Sequence, residues 1–185
     1  MQKNKIRIIK YLIIYFIYKM YYLSVGSIFK NESHILKEWL NHHINHGVEH
    51  FYLINDDSSD NFIQILEPFI DNGIVELFNT TEPKYDGRQQ KLYNEFILPK
   101  IQKKETKWLS ILDLDEFLYS PQTINIQDIL KQYENFGMLD VNWIYFGSSK
   151  HDIQPNGVVE NFKLCAKQGS ILPTHPSPIK RIVNT

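Results

Sequence analysis

Asp113-Leu114-Asp115-Glu116-Phe117 stands directly behind the apolar run Trp108-Leu109-Ser110-Ile111-Leu112. Two carboxylates one residue apart offer hard anionic oxygens that suit a hard divalent cation, which can in turn hold a diphosphate. The apolar run reads as a buried strand, because parallel strands covered on both faces are nearly continuous in apolar residues. Open α/β sheets bind ligands past the carboxyl ends of their strands, and Asp113 and Asp115 stand in such a place. The plainer reading of the same residues is a solvated acidic turn.

Other polar groups collect behind strand-like runs in the same way. Tyr21 to Phe29 reads as a first strand and is followed by Asn31, expected as a helix N-cap, and Glu32, expected in the first turn. Phe51 to Ile54 reads as a second strand, ending in Asn55-Asp56-Asp57-Ser58-Ser59-Asp60. A crevice built from these ends is too acidic for a bare phosphate, so ribose hydroxyls, base N–H groups or a metal ion suit it better. Arg88, beside Gln89 at the start of a helix-like segment, is the nearest basic residue for a phosphate oxygen. Taken alone, Asp56 to Asp60 also fits an ordinary turn and N-cap.

His42 and His46 have the i, i+4 spacing of zinc ligands on a helix, with His43 and His50 nearby. Neither H-E-x-x-H nor a third ligand accompanies them, so a solvated polar face is expected. Cys165 has no neighbouring motif and is expected as a small core residue. The dinucleotide fingerprint G-x-G-x-x-G and the nucleophile elbow G-x-S-x-G are both missing.

The elements that must position these groups alternate. Helical spacing in Ile35, Leu36, Trp39, Leu40 and Ile44 gives a helix with Gly47 as its stop. Phe62, Ile65, Leu66 and Phe69 give another, closed by Asp71-Asn72-Gly73. Ile74 to Phe78 reads as a third strand, Asn79 to Gly87 as a loop, and Arg88 to Lys103 as a helix despite Pro99. A helix around Ile126 to Tyr133 leads to a strand over Met138 to Phe146, and a short helix is expected near Val158 to Lys163. Strands alternating with helices predict an α/β fold with a mostly parallel sheet, in one domain over residues 21–185. Residues 1–20 read as an extension: Tyr11 to Tyr18 is too short to cross a bilayer, which takes about 20 residues, so membrane association is not expected.

At 185 residues, with 43% hydrophobic and 14% aromatic residues, the chain can bury a core without staples. Its formal net charge of −1 gives no electrostatic case for nucleic acid or an anionic membrane. The single cysteine points to a reducing compartment, and a cytoplasmic location is expected.

Several stretches together resemble the opening of family 2-like glycosyltransferases, and the family 92-type group in particular. These are Ser27-Ile28-Phe29-Lys30-Asn31-Glu32, Leu36-Lys37-Glu38-Trp39-Leu40-Asn41-His42-His43, Gly47-Val48-Glu49-His50-Phe51-Tyr52-Leu53 and Asn55 to Asp60. Leu112-Asp113-Leu114-Asp115-Glu116-Phe117 resembles that group's D-x-D-E-F signature. Trp143-Ile144-Tyr145-Phe146-Gly147 resembles its later W-x-x-F-G strand, and Val158 to Phe162 its following helix. The resemblance implies a GT-A fold, a nucleotide-sugar donor, and Mn2+ or Mg2+. It places Asn31, Glu32, Asp56 and Asp57 in the nucleotide pocket, with Arg88 and Gln89 near the donor. It gives Asp113 and Asp115 to the metal and the sugar diphosphate. Trp143 and Phe146 either face the acceptor or lie in the core, and the core is expected.

The implied activity is metal-dependent transfer of a sugar to a hydroxyl on a glycan, protein or small molecule. Relatives of this kind run on past the position of Thr185, so this length of chain is expected to bind donor and to transfer poorly. No catalytic base is assigned: Asp140, His151, Asp152 and Glu160 are available, none in a motif. Two rivals remain. One is a truncated, non-catalytic nucleotide binder. The other is a phosphatase of the haloacid dehalogenase type, whose D-x-D ends the first strand, whereas three strands precede it here.

Overall fold

Apolar runs become strands and amphipathic stretches become helices in the computed structural model, which describes residues 20–165 and 179–185. The apolar run Tyr11 to Tyr18 of the N-terminal extension lies outside the described residues. Strand β1 (Tyr21–Phe29) leads to helix α1 (Ser33–Asn45), β2 (His50–Asp56), α2 (Phe62–Asp71) and β3 (Val75–Thr80). A helical segment follows, made of α3 (Arg88–Leu92), a π turn (Tyr93–Ile97) and α4 (Leu98–Gln102). After β4 (Thr106–Ile111) come α5 (Gln127–Leu130), a 3-10 turn (Lys131–Tyr133), β5 (Met138–Asn142) and β6 (Ile179–Asn184).

The six strands form one sheet in the order β3-β2-β1-β4-β6-β5. Three of its five neighbouring pairs are parallel, and β6 runs antiparallel to both β4 and β5. The α/β expectation is met. Strand β6 was not foreseen, since Lys180 and Arg181 interrupt its apolar pattern. In β2, Phe51 and Leu53 enter one core with Leu36, Trp39 and Leu40 of α1, while Tyr52 and Ile54 enter a second with Leu92 and Ile97. That period-two division covers the parallel strands on both faces, and their parallel pairing puts the carboxyl ends of β1 to β4 along one edge.

Local chemistry explains where the elements stop. Gly47 (φ 95°) ends α1, with Val48 N–H donating to His43 O (2.9 Å) and Gly47 N–H to Ile44 O (3.1 Å). Those two bonds satisfy carbonyls that the helix leaves open, and glycine adopts that φ without a Cβ clash. Pro99 falls just after the π turn, at the start of α4.

Four local expectations are corrected. Asn31 is not an N-cap: it has φ 56°, and Glu32 holds the cap position without a side-chain cap bond. The segment Val158 to Lys163 makes a single turn instead of a helix, with the Glu38 carboxylate accepting from the N–H groups of Val158 and Val159. Strand β5 stops at Asn142, and Trp143 and Phe146 are 37% and 51% exposed rather than core. Cys165 is also exposed. Among the described residues no helix is long and apolar enough to cross a membrane.

Gly26 is the tightest point of the sheet: a Cβ there would lie 2.6 Å from both Ile97 Cδ1 and Ile111 Cδ1. Both atoms are tips of flexible side chains. Gly26→Val is therefore expected to destabilise by about 1–3 kcal/mol in urea unfolding, with Gly26→Ala costing clearly less. Equal stability of valine variant and wild type would mean that the helical segment does not press on β1.

Candidate active site at the carboxyl edge of the sheet

The loops behind β1 and β2 are fastened to each other. Asn31 N–H donates to Ser58 Oγ (3.0 Å), and Ser59 N–H donates to Asn31 Oδ1 (2.8 Å). Ser33 N–H, in the first turn of α1, donates to Asp60 Oδ2 (2.8 Å). Asn31 and Asp57 both adopt left-handed backbone, φ 56° and 54°, which Asn and Asp tolerate better than other non-glycine residues. Asp57 is exposed and faces Lys30 at 3.9 Å, while Glu32 is half-buried beside His34 at 3.8 Å. The edge is therefore braced by side chains on backbone amides.

Asp56 and Arg88 are placed differently from what their types suggest. Both are buried, and the Arg88 guanidinium donates to Asp56 Oδ1 at 2.5 Å. Arg88 Nε has no hydrogen-bond partner among the described residues. A buried ion pair of this kind joins the helical segment to the end of β2. Gln89 is exposed and donates through Nε2 to the Tyr93 hydroxyl (3.2 Å). Tyr93 lies in the π turn; burial pushes its phenol up to about 12, and the nearby Asp113 carboxylate adds to the rise.

Behind β4, Glu116 folds back on Asp113: Asp113 N–H donates to Glu116 Oε2 (2.9 Å), and Glu116 N–H to Asp113 O (3.0 Å). Lys180, unforeseen in the sequence, joins them. Its Nζ lies 3.1 Å from Asp113 Oδ2, 2.9 Å from Glu116 Oε2 and 5.5 Å from the Trp143 ring centroid. Burial pulls the Lys180 ammonium down, but its bonds to Glu116 and Asp113 outweigh that and leave it raised. At Glu116 burial outweighs pairing and pushes the carboxyl up. Asp115 is exposed and makes no ion pair or hydrogen bond among the described residues. Asp140, a possible base by sequence, is instead paired with Arg181 (3.2 Å) on the outer strands.

The histidines are not a solvated face: His42 and His43 clamp the residues that follow the D-x-D, while His46 and His50 meet the carbonyls of His42 and Gly73. Trp39 Nε1–H donates to Glu116 O (2.8 Å), and His42 Nε2–H donates to Leu118 O (2.9 Å). Leu118 N–H donates to His43 Nε2 (3.1 Å), so His43 must carry its proton on Nδ1, which donates to Trp39 O (2.8 Å). Both backbone groups of Leu118 are thus satisfied by one helix. Burial depresses His43 to about 3, and it lowers His42 as well. The i, i+4 spacing drew attention to His42 and His46, yet no sequence pattern shows a backbone acceptor.

The sequence model described as Glycosyltransferase family 92 matches residues 19–185. A glycosyltransferase family 92 protein of Ricinus communis is 24% identical over 140 residues, covering 76% of this chain and 24% of its own length. Another, from Oryza sativa subsp. japonica, is 24% identical over 130 residues, covering 62% of this chain and 19% of itself. The chain thus spans about a quarter or less of the length of these curated relatives. Among solved structures, S. aureus TarS 1-349 is 15% identical at a TM-score of 0.47, covering 63% of this chain and 34% of its own. The same protein in complex with UDP-GlcNAc is 18% identical at a TM-score of 0.41, covering 62% and 30%.

Two predictions come from these contacts. Arg88→Ala leaves the Asp56 carboxylate buried without its partner and is expected to cost about 3–5 kcal/mol in urea unfolding. A loss below 1 kcal/mol, or about that, would show the pair open to water. His43 has a folded value near 3 against an ordinary 6.5, so protons favour the unfolded chain. Its contribution is complete above 6.5 and is lost as pH falls from there towards 3, by up to about 1.4 kcal/mol per pH unit. His43→Gln should flatten the stability profile over that range, and parallel profiles for variant and wild type would refute the clamp's neutral imidazole.

Proposed function

This chain belongs to glycosyltransferase family 92, and we propose that it provides the donor-binding part of a metal-dependent sugar transfer from a nucleotide diphosphate to a hydroxyl. The observation that carries this reading is the convergence of the β1, β2 and β4 ends. It brings the fastened Asn31–Ser58–Ser59 loops to the same sheet edge as the D-x-D. A GT-A donor site needs such an edge. Polar groups from the first two strands take the nucleoside, and the D-x-D takes the diphosphate.

In this reading Asn31, Glu32 and Asp57 line the nucleoside pocket. Asp56 and Arg88 form its buried wall, where Arg88 Nε, without a partner among the described residues, supplies a hydrogen bond to a base or ribose oxygen. Gln89 reaches the donor from the start of α3. Asp113 and Asp115 fit a divalent cation by the chemistry of their hard oxygens, and a cation already rests on Asp113 in the form of the Lys180 ammonium. Among the described residues no group of three or more His, Cys, Asp or Glu converges as a complete metal shell. Diphosphate oxygens and water would complete it. Bound there, Mn2+ or Mg2+ supplies a Lewis acid for the charge that develops on the leaving diphosphate. The chain's own task is to hold the donor: the clamp from α1 fixes the backbone that carries the two aspartates, and the loop bonds fix the nucleoside end.

Unfolding of the 185-residue chain with UDP or GDP, with and without Mn2+, tests the reading. A nucleotide diphosphate at 100 times its dissociation constant should add about 2.7 kcal/mol of stability, and only with the metal present. Asp115→Asn should abolish most of that gain while leaving the free chain as stable as before, since Asp115 is exposed and unpaired among the described residues. Equal gains with a chelator, or an undiminished gain in the variant, would reduce the D-x-D to an acidic turn.

A further inference from the structure

We propose that Lys180 is an internal cation of the donor site, holding Asp113 while no metal is bound and passing to the diphosphate once a divalent cation takes that carboxylate. The proposal rests on the donor-site reading above. Lys180 lies at the amino end of β6, and β6 runs antiparallel to β4 with Ser110 opposite Ile182. Two residues before Ile182 therefore fall beside the carboxyl end of β4, where Asp113 begins the acidic turn. The topology delivers the ammonium to the turn that carries Asp113, Asp115 and Glu116.

The contacts suit a charge that moves. Lys180 Nζ bonds Asp113 Oδ2 at 3.1 Å and Glu116 Oε2 at 2.9 Å, and it lies 5.5 Å from the Trp143 ring centroid. An ammonium on a four-carbon stem is a point charge without the fixed fork of a guanidinium, so it changes partners by rotation of its stem. The face of Trp143 attracts it without demanding one direction, and so keeps it near the site between partners. A divalent cation on Asp113 would repel an ammonium 3.1 Å from the same oxygen. The arriving diphosphate offers anionic oxygens in exchange, and Glu116 remains as a second anchor.

Two affinities must then move in opposite directions when the charge is removed. In Lys180→Gln and Lys180→Met, free Mn2+ should bind about tenfold more tightly, because its competitor is gone, and Mn2+–UDP about tenfold more weakly, because a phosphate partner is gone. Lys180→Arg should restore nucleotide binding towards wild type. Paramagnetic resonance reads free Mn2+ binding, and calorimetry reads Mn2+–UDP binding. A residue that merely supported the fold would weaken both together, so loss of both, or no change in Mn2+ affinity, overturns the proposal. In the wild-type chain the Lys180 ammonium signal in heteronuclear NMR must shift on adding Mg2+ and again on adding UDP. A stationary signal overturns the proposal even if the variants fail to fold. Wild-type chain that binds no Mn2+–UDP overturns the donor-site reading together with this one, whereas wild-type binding with unchanged variants overturns this one alone.

Discussion

Leu118 has its N–H and its C=O bonded to two side chains of the same helix, His43 and His42, and Trp39 holds the carbonyl of Glu116 two residues earlier. The segment after β4 leaves the sheet and so loses the ladder that would satisfy its backbone. Helix α1 replaces that ladder. Buried peptide groups without partners are costly, so these three side chains fix the backbone that follows Asp113 and Asp115. The clamp also demands chemical uniformity from His43. One ring nitrogen must accept and the other donate, and burial keeps the ring neutral to about pH 3.

The second constraint is charge. The strand ends on this edge bring carboxylates, and three of them have been given a cation. Asp56 has Arg88, and Asp113 with Glu116 has Lys180. Asp57 and Asp115 lie outside that compensation in different degrees, since Asp57 faces Lys30 only at 3.9 Å and Asp115 is exposed. Asp56 is thus compensated where water is excluded, and the anionic excess lies where water enters.

The sequence made the parallel half of the sheet legible because burial on both faces writes an unbroken apolar run. Tyr21–Phe29 was bounded to the residue, and β2 to within two residues. The place of Asp113 and Asp115 followed from the strand before them. Strand β6 was not legible: its two cations sit mid-run and only Ile182 is fully buried. Lys180 was missed for a related reason. It is 67 residues from Asp113, and no local pattern records which strand lies beside β4. The histidines misled because spacing reports helix faces, whereas their partners are backbone groups contributed from 75 or 76 residues away.

The reversal of direction at β6 ties these points together. A further parallel strand beside β4 would have put another carboxyl-end loop on the working edge. An antiparallel strand contributes its amino end instead, and here that end begins Ile179-Lys180. The same reversal leaves β5 on the outside of the sheet, with Asp140 drawn to Arg181 and away from the D-x-D. One change of strand direction thus decides two things about the site: which cation faces Asp113, and that the later carboxylate Asp140 is spent on the far strands. The chemistry of the edge is therefore a consequence of topology as much as of the aspartates themselves.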